Sequence, residues 1–167
     1  MRRHLKDRQQ ILEKVRSIAD YQFGKGSGIA LFPDNAKIVF SRKTGKIRHV
    51  YMKGSLLATL RPRDGMYSIT VEGAKRLARK ASLMSLWVKV SEEAEPFIAK
   101  GKSVFAKHVI DAGAEIRPQD EVTVLGSNDK VLAVGKASLT GWEMKTFKRG
   151  LAVRVRRGVA QERTFST

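Results

Sequence analysis

From Lys37 onward the apolar residues stop recurring at helical spacing and begin to alternate, and this change limits the fold more than any other feature of the chain. The runs "KIVFSR", "IRHVYMK", "LLATLRP" and "MYSITV" are each of strand length. The reversals "KTGK" and "RDG" carry glycines that supply the backbone freedom a tight turn needs. Short runs joined by short turns predict an antiparallel meander, because parallel neighbours need a crossover of about a dozen or more residues. Before the meander, Leu5, Ile11, Leu12, Val15, Ile18 and Ala19 recur at mostly helical spacing, with Arg8, Lys14 and Arg16 elsewhere on the wheel. One amphipathic helix is therefore expected to open the chain.

After the meander Thr70 is placed to cap a helix. Ala74, Leu77, Ala78 and Ala81 form its apolar face, and Lys75, Arg76, Arg79 and Lys80 its basic one. Around Leu83 to Leu86 the charge pattern changes and a second unit begins. "LWVKV" reads as a strand, followed near Ser91 by a short helix rich in glutamate. Pro96 is tolerated only in a first turn, so this helix should start later than Ser91. Gly101 stands where it would end. "SVFAKHVID" is expected as one buried strand, then "EVTVLGS", the turn "NDK", "VLAVGKA", a short helix near "GWEMKTFK" and the strand "LAVRVRRG". The fold class is thus α+β: a small α+β domain with an antiparallel sheet over residues 1–85, a β-rich domain over 86–160, and a polar tail over 161–167.

Charge supplies the main functional signal. The chain of 167 residues carries a formal +17, which favours a polyanionic partner, since neutralising phosphates releases condensed counterions. Residues 1–86 hold 19 Lys/Arg against 6 Asp/Glu, net +13, whereas 87–167 hold 14 against 10, net +4. Within the basic half, Arg42, Lys43, Lys46 and Arg48 surround Gly45 at a hairpin tip, and Lys75, Arg76 and Arg79 line a helix. Both are candidates for phosphate contact. The segment "FGKGSGIALFPD", with Gly24, Gly26 and Gly28, reads either as an ordinary loop or as backbone able to approach a phosphate.

Several chemistries are excluded. The chain has no cysteine, hence no disulfide, zinc ribbon or thiol nucleophile. His4, His49 and His108 are scattered, and His108 and Asp111 on one strand would point to opposite faces, so no metal site is expected. "GKS" at 101–103 lacks the preceding glycine of a phosphate-binding loop, Pro96 standing in its place, and a strand rather than a helix follows. Asp34, Asp64, Asp111 and Asp120 have no partner at a telling spacing, so no catalytic residue is assigned and no cofactor is expected. No apolar run approaches a membrane span and no secretory leader is evident, which makes the cytoplasm the default location.

The order of motifs in the second unit resembles a PUA domain: a strand, a short helix ending in "KGKSVFAKHV", the turn "QDEV", a strand pair ending in "AVGKA" and the closing "FKRGLAVRVRRGV". The resemblance covers about residues 87–159. The preceding meander is similar to the domain before PUA in archaeal tRNA-guanine transglycosylases and archaeosine synthases. These likenesses imply a small PUA β-barrel that binds structured RNA near a tRNA acceptor stem and CCA end. They also imply a partnership with a transglycosylase-like or archaeosine synthase catalytic chain, since that enzyme's barrel and zinc site have no counterpart here. Gly101, Lys102, Val104, Phe105, Ala106 and Lys107 match the PUA segment that approaches RNA, Gly135 and Lys136 its "VGKA" segment, and Lys148, Arg149 and Gly150 its "FKRG". On this resemblance "GKS" is a helix-to-strand turn on an RNA-binding surface. Val153 and Val155 alternate with Arg154 and Arg156, so one face of the last strand should pack the barrel while the other presents cations. Trp142, Met144 and Phe147 read either as a base-stacking platform or as core. The expected function is tRNA binding by a non-catalytic recognition subunit in the archaeosine pathway; the alternative is a ribosome-associated or translation-initiation-like factor.

Overall fold

A computed structural model of the chain describes residues 2–80 and 84–161. Ala81, Leu83 and the tail from 162 lie outside the described residues. The chain divides into two compact units, Met1–Met84 and Ser85–Thr167.

In the first unit, helix α1 (Arg2–Phe23) buries Leu12, Val15, Ala19 and Phe23, a stripe at spacings of three and four. The short helix α2 (Ser27–Leu31) follows. Strands β1 (Lys37–Phe40), β2 (Ile47–Met52), β3 (Ser55–Leu60) and β4 (Tyr67–Ile69) form an antiparallel sheet in the order β1-β2-β3-β4, the meander read from the sequence. Helix α3 (Val71–Ala78) is capped by Thr70, whose hydroxyl accepts from Gly73 N at 3.1 Å. Gly73 is required by contact: a Cβ there would lie 2.4 Å from Leu57 O, so α3 rests directly on β3.

The glycine segment does not present a phosphate cradle. The N–H groups of Gly26 and Gly28 donate to Asp20 Oδ1 at 3.1 and 2.6 Å, so the chain's own carboxylate occupies the place an anion would take. A Cβ at Gly28 would lie 2.4 Å from Arg16 O, which makes this glycine a packing residue between α1 and α2.

Tyr67 ties α1 to the sheet. Its ring meets Phe32 edge-on at 5.2 Å, its hydroxyl donates to Val15 O at 3.0 Å, and Gln22 clamps its backbone at 2.7 and 2.9 Å. Tyr67→Phe is expected to cost about 1 kcal/mol, read as a lower denaturant midpoint at unchanged slope. Burial also pushes the phenol well above its ordinary pKa. The unfolded phenol ionises near pH ~10 while the folded one stays neutral, so this stabilisation is present below that pH and is lost as pH rises past it. The phenylalanine variant should lack that part of the alkaline loss.

The second unit contains β5 (Trp87–Val90), a 3-10 turn (Glu92–Ala94), α4 (Glu95–Ala99), β6 (Val104–Phe105), a 3-10 turn (Ala106–His108), β7 (Val109–Ala112), β8 (Glu121–Leu125), β9 (Val131–Ala137), α5 (Gly141–Thr146) and β10 (Leu151–Gly158). The sheet order is β6-β10-β9-β8-β5-β7, antiparallel except between β5 and β8. Helix α4 begins at Glu95 with Pro96 in its first turn, as the proline requires.

"SVFAKHVID" is two strands rather than one. β6 pairs with β10 at one edge of the sheet and β7 with β5 at the other, so the chain turns at Ala106–His108 to pass between edges that the nearly closed barrel brings together. His108 therefore lies in a turn and Asp111 in a strand, and the strand-face relation expected between them does not apply. Val88, Val90, Ile116, Val122, Val124, Met144 and Val153 fill the core.

Candidate nucleic-acid interface

Helix α4 has five residues and so offers one buried stripe. Ile98 takes it, at 2% exposure, which leaves Phe97 on the outside at 63%. The helix ends in a Schellman motif: Gly101 N bonds Ile98 O at 2.9 Å, Lys102 N bonds Phe97 O at 3.1 Å, and Gly101 adopts φ +96°. This is the local reason for "GK" at 101–102, and it sets the Lys102 side chain on the surface. Ser103 then accepts from Val155 N at 3.2 Å, and Phe105 on β6 remains half-exposed.

These elements enclose an open groove of about 650 Å³, lined mainly by apolar surface from Ala94, Phe97, Ile98 and Phe105, with Lys102 and Lys107 beside it. Ser103, Glu93 and His108 complete the lining, with Glu93 Oε1 3.4 Å from His108 Nδ1, an ion-pair separation when the imidazole is protonated. Two exposed rings flanked by two ammonium groups suit a nucleobase and its phosphates.

The "FKRG" loop adjoins this groove. Gly150, at φ +103°, accepts from Ala106 N at 2.9 Å through its carbonyl, and Leu151 pairs with Phe105. Lys148 and Arg149 are thereby held beside the Phe105–Lys107 segment, exposed and with no carboxylate partner among the described residues.

Other sequence candidates are positioned differently. Ala106 is buried, and a Cβ at Gly135 would lie 2.2 Å from Arg154 O, so these two serve packing, whereas Gly101 serves the left-handed turn that ends α4. Lys136 and Arg154 lie opposite each other on β9 and β10 and form a separate basic pair. Arg156 sits at an irregularity between Val155 and Arg157 and makes a bidentate ion pair with the buried Glu121, one contact being 3.0 Å from Nη1 to Oε2. The alternation expected over Val153–Arg156 holds, with Val153 and Val155 on the core and Arg154 and Arg156 outward, but the charge of Arg156 is taken up by Glu121, and the bulge leaves the next residue, Arg157, exposed as well.

In the first unit Arg42, Lys43 and Lys46 are exposed at the β1–β2 hairpin, closed by Ser41 N to Lys46 O at 2.7 Å. Arg48 is half-buried at a bulge where Val39 pairs with His49 and Phe40 with Ile47. Arg79, which caps the end of α3, is exposed, and on the helix Lys75 approaches Glu72 at 3.5 Å. Arg76 is turned inward, its guanidinium bonding Leu31 O at 3.1 Å and Met52 Sδ at 3.2 Å, so it holds α2 and the sheet together rather than facing a ligand.

Comparison with known families divides the chain at the same place as its contacts. Residues 13–82 match the patch-forming domain C2 of tRNA-guanine transglycosylase, and residues 87–159 match the PUA domain. The chain joins a transglycosylase C2 domain to a PUA domain. The groove lies entirely within the PUA domain, and the basic hairpin within the C2 domain. The tRNA-guanine(15) transglycosylase of Thermococcus kodakarensis is 51% identical over 145 residues, which is 87% of this chain and 25% of the relative. That of Methanothermobacter thermautotrophicus is 48% identical over 147 residues, 88% of this chain and 22% of the relative. The chain thus spans about a quarter of the length of these relatives. Among solved structures, a hypothetical protein from Pyrococcus horikoshii OT3 superposes with a TM-score of 0.70 at 22% identity, covering 90% of both chains. A conserved PUA domain protein from Thermoplasma acidophilum gives 0.65 at 21%, covering 93% of this chain and 92% of the other. These two share the fold.

Among the described residues no three His, Asp or Glu side chains group as metal ligands, and no helix is long and apolar enough to cross a membrane.

Proposed function

We propose that this protein binds tRNA and carries no catalytic chemistry of its own, acting as a recognition subunit for a tRNA-modifying enzyme of the archaeosine pathway. The observation that carries the reading is the PUA groove, where exposed Phe97 and Phe105 stand between Lys102 and Lys107. Identity of about half, over 22–25% of their length, to proteins named tRNA-guanine(15) transglycosylase supports tRNA as the RNA. The PUA groove and the "FKRG" loop would take the acceptor stem and CCA end, the C2 hairpin would add phosphate contacts, and a transglycosylase-like or archaeosine synthase chain would supply the chemistry. Crosslinking the protein to RNA in cells and sequencing the RNA tests this: recovery of tRNA with contacts at the acceptor end is expected, and predominant recovery of ribosomal RNA would overturn it in favour of a ribosome-associated factor.

Lys148 and Arg149 give a sharper test. Replacing both by alanine should make the plot of log affinity against log salt shallower by roughly one to two units, the value for one or two lost phosphate contacts. The preference for tRNA with an intact acceptor end over tRNA trimmed there should shrink as well. Both side chains are exposed, so folding should survive. Equal slopes and an unchanged preference, measured by equilibrium binding, would remove this loop from the acceptor-stem site.

A further inference from the structure

Helix α5 and the residue that follows it expose two aromatic rings that the groove does not use. Trp142 is 65% exposed and Phe147 43%, whereas Met144, between them, is fully buried. The exposure is not fraying. Thr140 caps the helix by accepting from Glu143 N at 3.2 Å, Gly141 N bonds Ile116 O at 3.2 Å, and a Cβ at Gly141 would lie 2.0 Å from Gly113 O. Lys145 reaches Asp111 of β7 at 3.6 Å. The helix is clamped on one side and shows its indole on the other, an arrangement that removes a large apolar ring from solvent only when something covers it.

We infer that Trp142 and Phe147 extend the PUA groove into a track for a single strand of RNA, each ring stacking an unpaired base that lies beyond the nucleotide held by Phe97 and Phe105. The inference rests on the RNA-binding reading of that groove. Two observations select this occupant. First, Lys148 and Arg149 follow Phe147 directly and have no carboxylate partner among the described residues, and interleaved rings and cations fit a polyanion with stackable faces. Protein–protein contacts share the enrichment in aromatic residues and arginine but are depleted in lysine, so it is Lys148 beside the rings, with Lys107 along the way, that favours the polyanion. Secondly, the surfaces are continuous. α5 packs against the Ala106–His108 turn, whose Lys107 and His108 line the groove, and Gly150, at the end of the loop after α5, bonds Ala106. A strand leaving the groove past Lys107 therefore runs toward Phe147 and Trp142.

The test uses the intrinsic fluorescence of Trp142 in the full chain, with Trp87→Phe removing the other indole. The probes are a single-stranded hexaribonucleotide, a dinucleotide and a blunt RNA duplex. The hexanucleotide should quench Trp142; the dinucleotide and the duplex should not. Trp142→Ala should weaken the hexanucleotide about tenfold, the effect of losing one stacked base, and leave the dinucleotide unchanged, while Trp142→Phe should retain most of the affinity. Phe105→Ala should weaken both oligonucleotides. Hexanucleotide binding with unmoved fluorescence and an innocuous Trp142→Ala would overturn the track alone and leave the groove standing, marking the α5 surface as a contact for another macromolecule. Failure of every single strand to bind the parent protein would overturn the track and the groove together.

Discussion

Alanine at both Phe97 and Phe105 is expected to lower tRNA affinity by about a hundredfold, since base–aromatic stacking contributes roughly 1–3 kcal/mol per base and 1.4 kcal/mol corresponds to tenfold. Either substitution alone should give about tenfold, and the pair somewhat less than the product if both rings hold one base. Two features separate this outcome from general damage. The rings are 63% and 50% exposed, so their removal leaves no core cavity and the thermal midpoint should move little. Neither ring is charged, so the salt slope should be that of the parent protein even as the affinity falls. A variant that loses affinity with an unchanged slope has lost stacking; one that loses slope has lost phosphates. Parent-like affinity in the double variant would show that the groove does not hold a base, whatever else in the chain binds RNA.

What the sequence made legible follows the range of the forces involved. The meander could be read because alternation and glycine turns are local, and the Thr70 cap because it reaches only three residues ahead, to Gly73. Arg76 was read as a surface cation because a helical wheel knows nothing of Leu31 O and Met52 Sδ, brought to it by folding. In the same way Gly24, Gly26 and Gly28 read as either an ordinary loop or an anion loop until Asp20, a helical turn upstream of the first of them, is seen to accept from Gly26 and Gly28. The break in "SVFAKHVID" has no local signal at all, since it is imposed by the passage from β10 to β5 across the closing barrel. Phe97 was legible in principle. A short helix with adjacent Phe97 and Ile98 can bury only one of them, and the sequence does not say which. Trp142 and Met144 show the converse, a pair read together as platform or core that the structure divides between the two.

The C2 hairpin should carry the largest electrostatic effect. Arg42, Lys43 and Lys46 are exposed around a turn, and neither they nor Arg48 have a carboxylate partner among the described residues, so their charge is available to a phosphate backbone. Each phosphate neutralised on a duplex contributes about 0.9 to the slope of log affinity against log salt, so replacing all four with alanine should make the slope shallower by up to about 3.6. Arg48, half-buried at its bulge, is the residue most apt to fall short of a full contact, which sets a change of about 2.7 as the outcome if only the three exposed cations reach phosphate. The loss should be nearly equal for tRNAs of different sequence, because phosphate contacts carry no base information. It should also shrink as salt rises, whereas the loss from Phe97→Ala with Phe105→Ala should persist. The two sets belong to different units with no shared partner, so their effects should add within about 0.5 kcal/mol when combined. Titrations of several tRNAs across a salt series decide the matter. An unchanged slope would place the phosphate contacts elsewhere in the chain, and a loss confined to one tRNA would mean that the hairpin reads bases.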